Sequence, residues 1–213
     1  MLNISDAVAT IVRSDFTAQD ALQRSVLNYS AYAQQIQPRV EALTMKQVKL
    51  GSIVVSLSRL APQLVSETLK PKLVLNDLGI RSPLVDISYD RNADVLESAR
   101  NLRQKLNLEE HDFFTVTEGS GEVTIIAPDR FLSVIMDSFP SSPKMVFVDL
   151  VGVTVRFSSN YTTEPNTLFC ILESLAARKI NIIEIVSTFT SLSVIVERPQ
   201  SEETVLVLQN FLR

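Results

Sequence analysis

The side chains able to do chemistry are few. The 213 residues hold one His, His111, and one Cys, Cys170. A Ser-His triad or a multi-Cys zinc centre is therefore hard to assemble. Cys170 lies between Phe169 and Ile171 in an apolar helical stretch, which reads as a buried inert thiol rather than a nucleophile. Glu109, Glu110 and Asp112 flank His111; this short acidic run reads first as a solvated loop and only second as a metal site. Glu118-Gly-Ser-Gly121 is followed by neither Lys-Ser/Thr nor a helix start, so it is no phosphate loop, and its glycines suit a hairpin turn instead. With no nucleophile–base pair and no metal cluster, the chain is expected to be non-catalytic and to need no cofactor. Polar side chains suited to binding gather at Gln34, Gln35, Gln37 and Arg39, with Lys46 and Lys49 beyond. Glutamine pairs two-fold with adenine in the major groove, and the three cations can neutralise phosphates. The same residues also make an ordinary polar surface on a helical bundle, and both readings stand.

The elements that carry those glutamines come from the first third of the chain. Ile4, Val8, Ile11 and Val12 keep helical spacing after Asn3 or Ser5 as a cap. Thr17-Ala-Gln-Asp20 has the form of a capping box for a second helix through Leu22 and Val26. Ser30 can cap a third helix through Tyr32, Ala33 and Ile36, with Pro38 as a kink or restart, and Thr44 a fourth that Pro62 ends. In the third helix, Ala31 and Ala33 suit close packing on the second. Two short helices, a tight turn and a flanking longer helix make a helix-turn-helix arrangement. Charge divides at the same place. Residues Met1–Leu75 carry eight Lys and Arg against five Asp and Glu, whereas the remainder carries twelve against nineteen. No signal peptide and no apolar run of about 20 residues is read, so a cytoplasmic chain with no membrane partner is expected.

A Pro-punctuated polar stretch follows, and the pattern then changes to strands. Leu84–Tyr89 alternates, with Val85, Ile87 and Tyr89 on one face; a helix follows from Asn92 or Asp94; Phe113–Thr117 and Val123–Ala127 flank the glycine turn; Pro128-Asp129 opens a short helix; Lys144–Val148 is a strand. After a bend at Gly152 the order returns: strand Val153–Phe157, a helix from Pro165, strands Asn181–Val186 and Ser191–Val196, and a helix from Pro199. The expected fold class is α+β, a helix-turn-helix bundle followed by two ferredoxin-like βαββαβ domains. The expected boundaries are 1–66 for the bundle, 67–82 for a linker, and 83–148 and 149–213 for the two repeats. The second repeat lacks its last strand, which implies an open sheet edge.

Leu175-Ala-Ala-Arg-Lys-Ile-Asn-Ile-Ile-Glu-Ile-Val-Ser-Thr188 resembles the ACT domain, the amino-acid-sensing module of aspartokinases and other biosynthetic enzymes. The resemblance is specific over about Val151–Leu212 and rests on element order alone over Pro83–Val148. No part of the chain resembles the kinase. The resemblance implies side-by-side pairing of ACT layers into a homodimer and a small amino acid held near the interface. Carried onto this chain, the ligand contacts are Asn160, Thr163, Glu164, Pro165 and Asn166, with Asn181, Ile182 and Ser187. Amide groups at a helix start attract a carboxylate, and Asn181 offers both a donor and an acceptor. Two departures stand out: Asn166 replaces the glycine of the family's Pro-Gly, and Glu164 puts a negative charge where a carboxylate would dock. The equivalent loop of the first repeat, Asp90-Arg-Asn-Ala93, matches no ligand motif. The expected function is a regulator that senses an amino acid or similar metabolite, with DNA as a candidate target of the head. The alternative is a non-catalytic accessory subunit or scaffold that binds an enzyme and no DNA.

Overall fold

A computed structural model describes residues 2–64, 70–71, 73–157 and 164–212. The chain divides into two compact units, Met1–Pro71 and Lys72–Arg213.

The first unit is four helices, α1 (Ile4–Arg13), α2 (Phe16–Gln23), α3 (Tyr29–Thr44) and α4 (Leu50–Leu64). Its core gathers Val8, Ile11 and Val12 of α1, Leu22 of α2, Ile36 and Val40 of α3, and Ile53, Leu57 and Leu60 of α4, the residues that helical spacing selects. Asn3, one of the two expected caps, caps α1 by accepting from the Asp6 amide at 2.9 Å; the later caps differ from expectation. For α2 the cap is Asp15, not Thr17, since Asp15 Oδ1 accepts from the Ala18 amide at 3.0 Å. Its other oxygen accepts from the Tyr32 hydroxyl at 3.0 Å, so one carboxylate both starts α2 and ties α3 to it. Burial and that carboxylate raise the Tyr32 hydroxyl well above its ordinary range. Asn28, not Ser30, caps α3 through the Ala31 amide at 3.1 Å. Helix α3 runs unbroken through Pro38, and Thr44 is its last residue rather than the cap of α4, its hydroxyl donating to the Val40 carbonyl at 2.8 Å. Pro62 likewise lies inside α4. Ala33 is buried in the core, but Ala31 is exposed.

The second unit is one six-stranded antiparallel sheet with helices on one face. Its elements are β1 (Leu75–Asp90), α5 (Ala93–Lys105), β2 (Thr115–Glu118), β3 (Glu122–Pro128), α6 (Leu132–Ser138), β4 (Met145–Phe157), α7 (Thr167–Ala177), β5 (Glu184–Ser187), β6 (Ser191–Glu197) and α8 (Ser201–Gln209). The strand order is β2-β3-β1-β4-β6-β5. Strands β1 and β4 are much longer than the sequence pattern suggests. The stretch read as linker up to residue 82 includes Leu75–Ser82 of β1, and the expected boundary between 148 and 149 falls inside β4.

That length completes both repeats. The order β4-β1-β3-β2 is a ferredoxin-like sheet in which the first part of β4 is the fourth strand. Read from the other side, β1-β4-β6-β5 is the same sheet with the first part of β1 as fourth strand: Leu78 pairs with Val155 and Ile80 with Val153. The edge expected to be open in the second repeat is thus covered by chain that precedes the first repeat. Pairing registers make the duplication exact to the residue. Leu84 lies opposite Pro128 as Leu150 lies opposite Glu197, and Ser88 opposite Thr124 as Thr154 opposite Ser193. The two hydroxyl pairs are even of equal length, Ser88–Thr124 and Thr154–Ser193 both at 2.8 Å.

Alternation along the strands divides the side chains. Val85, Ile87 and Tyr89 face α5 and α6, while Val151, Val153 and Val155 face α7 and α8, giving one core per half. The other sheet face holds a smaller cluster, Leu84, Ile126, Leu150 and Ile195, with Phe113, Phe147, Ile183 and Val186 at its margin. Registers relate Leu84 to Leu150 and Ile126 to Ile195, so the cluster lies on the pseudo-two-fold axis.

Candidate functional site

Site residues expected from the sequence fall at two ends of the second half. Chain direction decides this: β4 and β5 both run antiparallel to β6 and so parallel to each other. The Phe157 amide donates to the Thr190 carbonyl at 3.0 Å, which puts the end of β4 beside the β5–β6 turn. Glu164, Pro165 and Asn166 precede α7 from that end, and Ser187 closes β5 there. Asn181 and Ile182 lie at the other end, beyond α7, whose 11 residues span about 16 Å. Asn160 and Thr163 lie outside the described residues.

Asn166 starts α7 in the left-handed region, φ 67° and ψ 6°. This backbone conformation is the reason a glycine would suit the position, and Asn is the side chain that tolerates it best after glycine. The replacement therefore keeps the local geometry. The first half differs: there Asn92 has extended backbone and caps α5 through the Val95 amide at 2.9 Å, whereas Asn166 makes no side-chain cap bond to α7. The Thr167 hydroxyl donates to the Glu164 carbonyl at 2.9 Å, which fixes the loop just ahead of the helix. At the far end the exposed Asn181 donates its backbone amide to Gln200 Oε1 at 3.2 Å, and Ile182 packs on the second-half core. Cys170 is buried on α7, and no group of three His, Cys, Asp or Glu among the described residues is placed to hold a metal.

The edge of this half is apolar. Leu168 and Phe169 of α7, Ile185 of β5 and Phe189 of the following turn are all exposed, Phe189 to 71%. At the opposite edge β2 presents Thr117 and Glu118 as its exposed residues.

On the helix-free face, sequence reasoning passed over Asp86. Alternation directs it away from the α5 core, but the residue is only 5% exposed and has no hydrogen bond or ion pair among the described residues. Burial, with the carboxylates of Glu184 and Glu122 adding to it, pushes its pKa up to about 6. Its counterpart across the pseudo-axis is Gly152, opposite Ile195 as Asp86 is opposite Ile126. A Cβ there would come to 3.0 Å from Leu84 Cδ1 and 3.2 Å from Ile195 Cδ1. Tyr89 is fully buried and stacks on Phe139 at 4.1 Å, and its hydroxyl has no partner among the described residues.

In the helical unit, Gln34, Gln35 and Arg39 are exposed on α3, and Lys46 and Lys49 on the stretch that leads to α4. Gln37 is half-buried and donates its amide to the Val48 carbonyl at 2.8 Å. Glu41 accepts from the Val48 amide at 2.9 Å, so Gln37 is part of the α3–α4 connection and not of the outward surface. No helix among the described residues is long and apolar enough to cross a membrane.

The duplicated sheet unit, with its exchanged fourth strands, is similar in fold to aspartokinase regulatory domains. A structure of aspartokinase alpha and beta subunits superposes with a TM-score of 0.53 at 12% identity, over 65% of this chain and 98% of that one. The ligand-free regulatory subunit of aspartate kinase from Thermus thermophilus gives 0.51 at 10%, over 64% and 97%. Aspartokinase III of E. coli, in complex with aspartate and ADP, gives 0.53 at 13%, over 65% of this chain but only 34% of the enzyme. At these identities the likeness is one of fold. No protein-family model matches the sequence, and no curated protein matches it.

Proposed function

We propose that this chain is a non-catalytic regulator whose sheet unit senses an amino acid as a pair of chains. The observation that carries the reading is the exchange of fourth strands between duplicated halves, in a unit similar in fold to the regulatory subunit of aspartate kinase. Within one chain, Asn166 and Asn181 are too far apart to hold one small ligand. Two copies laid antiparallel along their β5 edges bring the Glu164–Asn166 end of one beside the Asn181–Ile182 end of the other. The exposed Leu168, Phe169, Ile185 and Phe189 supply the apolar surface for that contact. Asn160, Thr163 and Ser187 complete the ligand set in this reading. Calorimetry of the intact chain against the twenty amino acids tests it. At least one gives heat that is lost in Asn181→Ala and in the edge variant Ile185→Lys, and light scattering reads a dimer that Ile185→Lys weakens. No heat and no melting shift with any amino acid refutes sensing, and a monomeric mass refutes pairing.

The helical unit is read as the output element, with DNA as its target. Gln34, Gln35 and Arg39 share the exposed side of α3, and Lys46 and Lys49 follow, which supports this reading. The competing reading is docking on an enzyme without DNA. A gel shift at low salt, repeated with Arg39, Lys46 and Lys49 all changed to Ala, separates them: binding that the variant loses supports DNA contact, and absent or unchanged binding supports the accessory subunit.

A further inference from the structure

A recess of about 100 Å³ lies in the first half, where the bulge of β1 meets the segment before β2 and the turn after β3. It belongs to the end of the sheet opposite the loop that precedes α5, beside the residues that lead into α6, and so is separate from the first-half equivalent of the Glu164–Asn166 loop. Its wall holds two guanidinium groups, each fixed in place. Arg81 donates from Nε to the His111 carbonyl at 2.9 Å and from Nη1 to the Ile80 carbonyl at 3.0 Å. Both partners are neutral, so the Arg81 charge meets no carboxylate among the described residues. Arg130 is paired with Asp112 and lies 4.5 Å over the Phe131 ring. Asp112 in turn accepts from the Glu109 amide at 2.8 Å. The fourth charge, Asp129, also lines the recess, and its carboxylate has neither ion pair nor hydrogen bond among the described residues.

Two cations and two anions thus meet in one hollow, yet only one pair is made. Surface ion pairs form readily where geometry allows, although each is worth little. Arg81 is held instead by backbone carbonyls through Nε and Nη1, and Asp129, although it adds to the field on Arg130, makes no ion pair or hydrogen bond among the described residues. We propose that this recess binds a small zwitterion, its carboxylate on the Arg81 guanidinium and its ammonium on Asp129. Arg130 and Asp112 satisfy each other and act as a neutral wall. Guanidinium suits the role because its flat fork matches a carboxylate. Space sets the size: about 100 Å³ is less than the roughly 150 Å³ of a cavity that holds benzene, which suits a compound such as glycine, alanine or β-alanine and disfavours an aromatic amino acid. A net-neutral wall disfavours a simple anion or cation, since either leaves Asp129 or Arg81 opposed by like charge or unpaired.

The test is amide NMR of the intact chain titrated with glycine and β-alanine, and with acetate and methylamine as their single-charge relatives. The zwitterions are expected to shift the amides of His111, Phe113 and Arg130, with acetate and methylamine at least tenfold weaker. Arg81→Gln and Asp129→Asn each weaken zwitterion binding at least tenfold, while Asn181→Ala leaves it unchanged. That last variant separates this recess from the edge site proposed above, so either can fail alone. Both substituted residues are exposed, so the variants are expected to fold, and the single-charge relatives test the idea on the unaltered chain. Equal binding of acetate and glycine overturns the proposal. So do shifts that persist in both variants, or none at these amides at 10 mM glycine or β-alanine (roughly −2.7 kcal/mol on the affinity scale).

Discussion

Replacing Asp86 by Asn removes a charge that the fold buries without an ion-pair or hydrogen-bond partner among the described residues. In the native chain this carboxyl titrates near 6, against 3.8 for an ordinary aspartate. The separation corresponds to roughly 3 kcal/mol. Its sign follows from which state holds the proton. Above about pH 6 the carboxyl is ionised both folded and unfolded, and the folded state bears the full cost of burying the charge. Between about 4 and 6 the folded state binds the proton more tightly, so stability rises as pH falls. Below about 4 both states are protonated and the cost vanishes. The Asn variant, which carries no charge, therefore gains on wild type by about 3 kcal/mol at pH 8 and by less than about 1 kcal/mol at pH 4. The amide itself is buried without a partner and costs something, but that cost does not change with pH, so the difference between the two pH values is the quantity to read. Hydrogen exchange of β1 and β3 peptides, wild type against variant at each pH, reports the sheet unit without interference from the helical unit. Equal differences at pH 4 and pH 8 would refute the reasoning, and with it the claim that Glu122, Glu184 and burial act together on this group.

Four further substitutions, at three positions, probe the same unit. Tyr89→Phe deletes a buried hydroxyl that has no partner among the described residues, and should leave stability unchanged or raise it by about 1 kcal/mol in urea unfolding, keeping the stack on Phe139. Gly152→Ala drives a Cβ against Leu84 and Ile195, both in the central cluster of the open face; a loss of about 1–3 kcal/mol is expected, read as a lower melting temperature. Asn166→Val forces a β-branched residue into a left-handed backbone and should cost about 1–3 kcal/mol, whereas Asn166→Gly should be tolerated; thermal melts of the pair give the comparison.

What the sequence made legible was local. Helical spacing found the apolar sides of α1, α3 and α4 and Leu22 of α2, but α2 stops at Gln23 and Val26, expected on its buried side, is 65% exposed; the two glycines of Glu118–Gly121 found the β2–β3 hairpin, because each signal lies within one element. Capping residues were misassigned by two positions at α2 and α3, since Asp15 and Thr17, or Asn28 and Ser30, have equally suitable oxygens and only packing chooses. The length of β1 was hidden by Gly79 and Pro83, which ordinarily break a strand; here Pro83 sits at a register shift where no ladder bond is required of it. Burial of Asp86 was also out of reach. Alternation gives the face of a residue, but the cover over that face comes from Phe113, Phe147 and Ile183, which lie far away in the sequence. For the ligand set, Glu164–Asn166 form the expected loop ahead of α7, whereas Asn181 and Ile182 precede β5 rather than starting it and Ser187 closes it; Asn160 and Thr163 lie outside the described residues, and the separation of Asn166 from Asn181 depends on the path of α7.

The missing last strand was the most consequential error, and its correction changes what the duplication means. Counting elements forward from Val153, nothing remains to close the second half. The closure comes from Leu75–Ile80, and the backbone contact of the Leu75 amide with the Phe211 carbonyl at 2.8 Å fixes that strand where the chain leaves α8. Each half therefore borrows its fourth strand from the continuous strand that begins the other. Two separate domains joined by a linker can open independently, but β1 and β4 cannot leave one half without disrupting the other. Their ladder runs from Leu75–Phe157 to Ser88–Met145, interrupted only by the bulges. The duplicated unit is for this reason a single cooperative structure, and any ligand that stabilises one half stabilises the strands of both.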